Sequence, residues 1–205
     1  LEHDSAYPTA FVKALTEAGY LGALIPEEFG GSGLPLSAAA AILETIHETG
    51  CNAAACHAQM YTMGTVLKHG NEEQKKKYLP KIATGELRLQ AFGVTEPTSG
   101  TDTTALRTFA KKEGDKYIVN GQKIWTSRAE HSDLMLLLAR TTPADQVEKK
   151  TEGISTLSVD MKKALADEYE PMRRGQTIFT YLRLAAGPAL AKELSRKGIL
   201  GIAYG

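Results

Sequence analysis

The first 86 residues place apolar side chains three and four positions apart, which is the spacing of one helical face. Phe11, Val12 and Leu15 share such a face, and Gly19 follows as a stop signal. Three more helices are predicted: from Ser37 to about Gly50, over 53–69, and over a segment that Asn71 caps. The pattern therefore predicts a helical domain over 1–86.

From residue 87 the pattern changes to short alternating or β-branched stretches separated by turn residues. Gly114, Asn120-Gly121 and Gly153 mark three of the turns. Strands are predicted over 87–94, 106–111, 116–119, 123–126, 134–139 and 154–159. The predicted fold class is α+β, with an antiparallel β-barrel-like domain over 87–161 after the helical domain.

Composition narrows the function classes. The chain has 24 basic and 24 acidic residues, so nothing favours binding to nucleic acid or to an anionic membrane surface. It shows no membrane span and no signal-peptide pattern, which predicts a cytoplasmic protein. Cys51 and Cys56 lack the spacing of a zinc site and are expected to be reduced core residues; no metal site is assigned.

Residues 94–102 read Val-Thr-Glu-Pro-Thr-Ser-Gly-Thr-Asp, a strand end that leads into a loop rich in hydroxyl groups. Such a loop can direct hydroxyls and backbone N–H groups at one spot, which suits a ligand with carbonyls and phosphates. The same residue types also form ordinary turns. Taken alone, the motif leaves a ligand site and a structural turn both open.

Residues 120–127 read Asn-Gly-Gln-Lys-Ile-Trp-Thr-Ser and contain Trp125, the only tryptophan of the chain. A flat indole beside hydroxyl groups suits a planar heteroaromatic ligand, although a tryptophan in a strand is more often part of a core. This motif is also ambiguous by itself.

Four motifs follow one another in the chain: residues 25–33, Ile-Pro-Glu-Glu-Phe-Gly-Gly-Ser-Gly; residues 71–86, Asn-Glu-Glu-Gln-Lys-Lys-Lys-Tyr-Leu-Pro-Lys-Ile-Ala-Thr-Gly-Glu; and the two motifs described above. Together they closely resemble the acyl-CoA dehydrogenase family, over about residues 5–161. The resemblance implies an FAD-dependent oxidoreductase that dehydrogenates an acyl-CoA substrate. It also implies a possible homo-oligomer and an electron-accepting flavoprotein as partner.

The resemblance further implies which residues contact FAD. Val94 and Thr95 would meet the pyrimidine edge of the isoalloxazine, Trp125 would pack on the ring, and Ser127 would lie near N5. Thr101 stands where the family commonly has serine and would contact both FAD phosphates and the acyl-CoA substrate. The full set of implied cofactor-binding residues is Phe92, Val94, Thr95, Thr101, Trp125, Thr126 and Ser127.

In this family a glutamate takes the α-proton while flavin N5 accepts a hydride from the β-carbon. The resemblance places that glutamate in a C-terminal helical domain beyond position 165. No catalytic residue is therefore assigned, and the chain is expected to be incomplete as an enzyme. Glu96 is expected to brace its turn rather than to act as a base.

Residues 162–205 depart from that family and resemble part of the N-terminal domain of alanine dehydrogenases. The pattern predicts a βαβ-like tail with strands over 178–181 and 200–204 and a helix over 188–197. Arg183 stands where that family has its catalytic histidine, so no alanine dehydrogenase activity is expected. Whether the tail is a natural fusion or an artefact stays open.

Two alternatives to acyl-CoA dehydrogenation also stay open. One is a non-catalytic flavin- or acyl-CoA-binding or interaction module. The other is a chimeric gene product without function.

Overall fold

A computed structural model describes residues 7–161, 177–179, 192, 196 and 200–202 of the chain. These residues belong to two units. One runs to Ala91 and includes His131–Leu134, and the other holds Phe92–Glu130 and the residues from Met135 onward. The predicted domain boundaries at 86 and 161 stay predictions.

The first unit is helical, and the four predicted helices are confirmed. Gly19 ends the first with a φ of +78°, a left-handed conformation that glycine adopts without strain. The Asn71 side chain accepts a hydrogen bond from the Gln74 N–H, as its position before the last helix predicted. The helices are α1 (Thr9–Glu17), α2 (Leu36–Glu48), α3 (Ala54–His69) and α4 (Glu72–Ala83).

Helix α3 is buried on most of its sides and contributes to the core of the helical unit. Its Thr62 hydroxyl donates to the carbonyl oxygen of Leu89, so a helix side chain satisfies a strand backbone group. The core cluster consists of Val12, Leu15, Leu21, Ala39, Ile46, Ala53, Ala55, Cys56 and Met60.

The two cysteines differ in their surroundings. Cys56 lies in the core, and its burial raises the pKa of the thiol to about 11. Cys51 is exposed, so the expectation of a core residue is wrong there. Cys51 lies just before α3 rather than within it.

The second unit is built on a five-stranded sheet. Strands β2 and β3 form an antiparallel hairpin in which Glu113 pairs with Lys116 across a tight turn at Gly114. The strand order is β1-β4-β2-β3, and β5 pairs with β4. The strands are β1 (Leu89–Gly93), β2 (Phe109–Glu113), β3 (Lys116–Asn120), β4 (Leu134–Arg140) and β5 (Ile154–Asp160).

The sheet corrects the expectation of an antiparallel barrel. It is mixed, because β4 pairs in parallel with β2 through Phe109 and Arg140, and it does not close. The chain between β3 and β4 crosses over instead of turning back as a hairpin, and this crossover sets β4 beside β2 in the same direction.

The strand predicted over 123–126 is also wrong. Residues 121–126 have no strand structure, and Trp125 has a φ of +59°, which lies far from strand geometry. Asn120-Gly121 consequently does not form the predicted hairpin turn. A Cβ on Gly121 would lie 2.6 Å from the Cα of Thr108, so close packing and not a turn requires glycine here.

Two short strands lie in the region of the predicted tail. Strands β6 (Thr177–Phe179) and β7 (Leu200–Ile202) pair in parallel. Apart from residues 192 and 196, the predicted helix over 188–197 lies outside the described residues, as does Arg183. The resemblance to alanine dehydrogenases stays a prediction.

Within the part of the chain that the structure describes, no helix combines the length and the apolar character that crossing a bilayer requires.

The cap on α4 generates a prediction. Asn71→Ala should lower the free energy of unfolding by about 1 kcal/mol, because it leaves a helix N–H without its partner. Urea denaturation followed by far-UV circular dichroism measures the change. Asn71→Ser is the matched control, since serine caps helices about as well. Equal stability of the two variants would contradict the capping role.

Candidate functional site

The hydroxyl-rich loop begins as a tight turn. The N–H of Glu96 donates to the carbonyl of Ser99 at 2.9 Å, and the N–H of Ser99 donates back at 3.2 Å. The Ser99 hydroxyl then donates to the carbonyl of Asp102 at 2.6 Å. Asp102 in turn accepts hydrogen bonds from the N–H and hydroxyl of Thr104. These contacts hold the loop in one path and leave Thr101 exposed.

Behind this loop, Glu96 and Lys123 form a buried ion pair. The Lys123 ammonium lies 2.9 Å from Oε1 of Glu96, and the two residues are 1 % and 4 % exposed. The carboxylate also accepts hydrogen bonds from the N–H groups of Arg107, at 2.6 Å, and Thr108, at 2.9 Å. Both oxygens of Glu96 are thus occupied, and the expectation that Glu96 braces the turn agrees with these contacts.

Burial and hydrogen bonding act in opposite directions on this pair. Burial raises the pKa of Glu96, but hydrogen bonds from Thr108, Lys123 and the Arg107 N–H outweigh it and hold the pKa below its ordinary value. Burial also lowers the pKa of Lys123, against the attraction of the carboxylate. Glu96 is therefore a carboxylate that stays ionised near neutral pH.

The tryptophan segment lies against the loop through two contacts. The Lys123 ammonium donates to the carbonyl of Val94 at 2.9 Å, and the N–H of Ile124 donates to the carbonyl of Thr95 at 2.9 Å. Beyond them, Trp125 is 84 % exposed and adopts a left-handed φ of +59°. Such a conformation costs a non-glycine residue about 1–2 kcal/mol and tends to occur at functional sites.

Thr126 adds a second unusual feature. Its hydroxyl oxygen is buried and has no hydrogen-bond partner among the described residues. Buried hydroxyls are nearly always hydrogen-bonded, so an orphan of this kind indicates a missing partner such as a ligand. The neighbouring Ser127 is exposed, and its N–H closes a small turn onto the carbonyl of Trp125 at 2.9 Å.

The structure thus brings several of the sequence-predicted residues together in one unit. Val94 and Thr95 are joined directly to the segment of Trp125, Thr126 and Ser127. Phe92 lies half-buried in β1, two residues before Val94. Thr101 lies on the exposed part of the loop, and no described contact joins it to the tryptophan segment. Its proposed dual role stays a prediction.

Arg140 fixes the far end of the same loop. It is 5 % exposed at the end of β4, and its guanidinium donates to the carbonyl of Thr104 at 2.7 Å. It also donates to the carbonyls of Lys150, at 3.0 Å, and Glu152, at 3.2 Å. The described hydrogen bonds of Arg140 all go to backbone carbonyls. Arg140 therefore has a structural role and holds two loops together.

These residues fit a flavin in chemical type. The exposed indole of Trp125 offers a flat apolar face, and the unpartnered Thr126 hydroxyl offers a polar contact beside it. The carbonyls of Val94 and Thr95 already accept internal hydrogen bonds. Donor groups are therefore the main polar contacts that this segment can offer, and they suit the carbonyl and nitrogen acceptors of an isoalloxazine edge.

Lys123 and Arg140 were not predicted from the sequence as parts of the site. Lys123 lies in a stretch in which polar and apolar residues alternate as in a strand. A lysine in such a pattern is expected to face solvent. Its partner Glu96 is 27 positions away, so no local signal reveals the pair. Arg140 gave no signal beyond its place at the end of an apolar strand.

The ion pair generates a stability prediction. Glu96→Gln leaves the Lys123 ammonium buried without its counter-charge and should lower the free energy of unfolding by about 3 kcal/mol at neutral pH. Glu113→Gln, which breaks an exposed pair with Lys111, should leave the free energy of unfolding nearly unchanged, because solvent screens that pair. Urea denaturation of both variants measures the difference. Equal losses would contradict the role of the pair.

The same pair predicts a pH dependence. Because the folded-state pKa of Glu96 is lowered, its contribution to stability is present above the ordinary value of 4.5 and is lost as the pH falls through the lowered pKa. The stability gap between the native chain and Glu96→Gln should therefore narrow below pH 4.5. Denaturation series at several pH values measure it, and a gap that widens in acid would contradict the assignment.

Comparison with known proteins places this site in a family. Residues 1–86 match the family model described as acyl-CoA dehydrogenase, N-terminal domain, and residues 91–183 match acyl-CoA dehydrogenase, middle domain. The second match extends past the boundary at 161 that the sequence predicted. A similar relative is the acyl-CoA dehydrogenase FadE29 of Mycobacterium tuberculosis, 42 % identical over 78 % of this chain and 40 % of its own length.

Solved structures agree. The acyl-CoA dehydrogenase of Geobacillus kaustophilus is 33 % identical with a TM-score of 0.67, over 75 % of this chain and 40 % of that one. A chain in the structure of the electron transferring flavoprotein of Acidaminococcus fermentans is 33 % identical with a TM-score of 0.64, over 76 % and 40 %.

The chain therefore spans about two fifths of the length of these relatives. Both family models match in chain order and together cover most of its residues, including the loop and the tryptophan segment. The chain belongs to the acyl-CoA dehydrogenase family.

Proposed function

We propose that this chain forms the helical and β parts of an FAD-dependent oxidoreductase that removes hydrogen from the α- and β-carbons of an acyl-CoA thioester. The observation that carries the proposal is the pairing of an exposed, conformationally strained Trp125 with the unpartnered hydroxyl of Thr126. Family membership gives the reaction class.

Each part of the site has a role in this proposal. Trp125 packs on one face of the isoalloxazine and shields it from water, while Thr126 supplies the hydrogen bond that its hydroxyl lacks within the protein. Phe92, Val94, Thr95 and Ser127 complete the ring contacts, and Thr101 contacts the phosphates and the thioester substrate. The bound flavin supplies the electron sink that no amino-acid side chain provides.

The proton at the α-carbon needs a base, and Glu96 does not fit that role. Its two oxygens accept three hydrogen bonds, and its carboxylate is buried behind the loop. A base must have a free lone pair within reach of the substrate proton. In the proposed enzyme a group other than Glu96 therefore acts as the base.

Partners form part of the same proposal. The similarity to a chain in the electron transferring flavoprotein structure supports a flavoprotein as electron acceptor. The similarity to a chain in the ChsE4–ChsE5 complex from Mycobacterium tuberculosis supports assembly with a second chain. A homo-oligomer is the simplest such assembly.

A second candidate is a module that binds flavin or acyl-CoA without turning it over. The hydrogen bonds that Glu96 accepts from Arg107 and Lys123 favour this second candidate, because they leave Glu96 unable to act as a base. Thioester-dependent loss of the visible flavin absorbance separates the two candidates. An enzyme bleaches the flavin when acyl-CoA is added, and a binding module does not.

Flavin titration of the full chain tests the proposal. The native chain should bind FAD saturably, and Trp125→Ala should weaken binding roughly tenfold, because removal of a stacked aromatic ring costs about 1–1.5 kcal/mol. The change in the visible absorbance of the flavin measures both affinities.

Tyr117→Ala is the matched control. Tyr117 is an exposed aromatic residue on β3 of the same unit, where it pairs with Lys112 in the β2–β3 hairpin. This variant should bind FAD like the native chain. Absence of saturable binding by the native chain, or equal weakening by both substitutions, would contradict the proposed site.

A further inference from the structure

Residues 94–96 and 121–126 line the proposed flavin site. These two segments are not joined by regular secondary structure. Residues 121–126 form no strand, so no ladder of backbone hydrogen bonds fixes their register against residues 94–96. One backbone contact is present, from the N–H of Ile124 to the carbonyl of Thr95. The other contacts between them come from the side chain of Lys123.

Lys123 joins the segments at two places. Its ammonium donates to the carbonyl of Val94 and to Oε1 of Glu96, each at 2.9 Å. Glu96 continues the connection to the N–H groups of Arg107 and Thr108, immediately before β2. One side chain thus links the tryptophan segment to the end of β1 and, through the carboxylate, to the residues that lead into β2.

The surrounding packing leaves Lys123 little freedom. A Cβ on Gly93 would lie 3.4 Å from Cγ of Lys123 and 3.2 Å from side-chain atoms of Met135 and Leu137. The aliphatic part of Lys123 therefore passes close to Gly93, where an added Cβ would be in tight contact with it. A long side chain enclosed in this way has lost its rotamer freedom and transmits its position to its own backbone.

Two residues later, the backbone of Trp125 holds a left-handed φ that an isolated chain would avoid. Strained conformations persist only where their surroundings determine them. Trp125 is 84 % exposed, so its own side chain provides little of that support. Neighbouring contacts supply the support: the Ser127 N–H donates to the Trp125 carbonyl, the Ile124 N–H donates to the Thr95 carbonyl, and Lys123 is the buried side chain two residues before Trp125.

We propose that Lys123 is a positioning residue whose contacts with Val94 and Glu96 hold Trp125 in its strained, outward-facing conformation and thereby set the affinity for flavin. The second half of this statement rests on the proposed function. The first half concerns the protein alone and is tested without cofactor. Lys123 touches neither substrate nor cofactor in this role.

The test uses the full chain and the substitution Lys123→Met, which keeps the aliphatic length and removes the ammonium. Two local readouts are measured without FAD. Hydrogen exchange of the Ile124 N–H reports the contact with Thr95, and fluorescence anisotropy reports Trp125, the single tryptophan of the chain. Exchange should accelerate about tenfold or more, and the anisotropy should fall.

Arg140→Met is the matched control. Arg140 is also a buried cation of the same unit, but its contacts are with Thr104, Lys150 and Glu152. This variant should lose stability while both readouts stay at native values under native conditions. Equal effects of the two substitutions on Ile124 and Trp125 would overturn the proposal, because general loosening would then explain both.

A second variant keeps the test decisive if Lys123→Met does not fold. Glu96→Gln with Lys123→Met removes both charges of the buried pair, and the glutamine oxygen can still accept from the N–H of Arg107 or Thr108. This double variant should fold and show the same faster exchange and lower anisotropy. Native values of both readouts in a folded variant would overturn the proposal.

FAD titration then separates the effect of Lys123 on the conformation of Trp125 from its effect on the affinity for flavin. If the native chain binds FAD, the Lys123 variants should bind it about tenfold or more weakly, as expected when a contact surface is misplaced. Unchanged affinity with altered Trp125 readouts would overturn the effect on flavin alone. If the native chain binds no FAD, the proposed function fails, and the exchange and anisotropy data still decide whether Lys123 positions Trp125.

Discussion

The candidate site depends on one buried ion pair, between Glu96 and Lys123. Burial of two charges is costly, and apolar residues of similar size often give equal or greater stability at such positions. The pair is tolerated because its hydrogen bonds are satisfied by Val94, Arg107 and Thr108. Its advantage over an apolar contact is directional: each hydrogen bond fixes one backbone group relative to another. Two irregular segments thereby gain the defined register that a strand ladder would otherwise provide.

The helices were predictable from the sequence because their determinants are local. Apolar spacing, Gly19 and the Asn71 cap each act within a few residues, and the structure places the four helices where these signals indicate. Five of the six strands predicted within residues 87–161 are present for a similar reason, since alternation and turn residues also act over short distances.

The open, mixed sheet and the irregular tryptophan segment could not be predicted in this way. The direction of β4 beside β2 follows from a long crossover that no local pattern encodes. In the segment 121–126, polar and apolar residues alternate as in a strand, but contacts with residues distant in sequence override that local preference. Gly121 packs on Thr108, and Lys123 turns inward to Glu96. The motifs indicated the chemical types of the candidate site residues. They did not indicate that the buried cations Lys123 and Arg140 support those residues.

Charged and uncharged side chains differ in their burial around the candidate site. Three charged groups beside the loop, Glu96, Lys123 and Arg140, are buried and bound to protein atoms, whereas the carboxylate of Asp102 is exposed and accepts hydrogen bonds from Thr104. The exposed side chains here include the hydroxyls of Thr101 and Ser127 and the indole of Trp125. In the proposed function such a surface suits a flat, hydrogen-bonding ring, while Glu96 holds the loop in place and does not move a proton. Recognition of the ring would therefore depend on the exposed groups, and the buried charges would keep those groups in position.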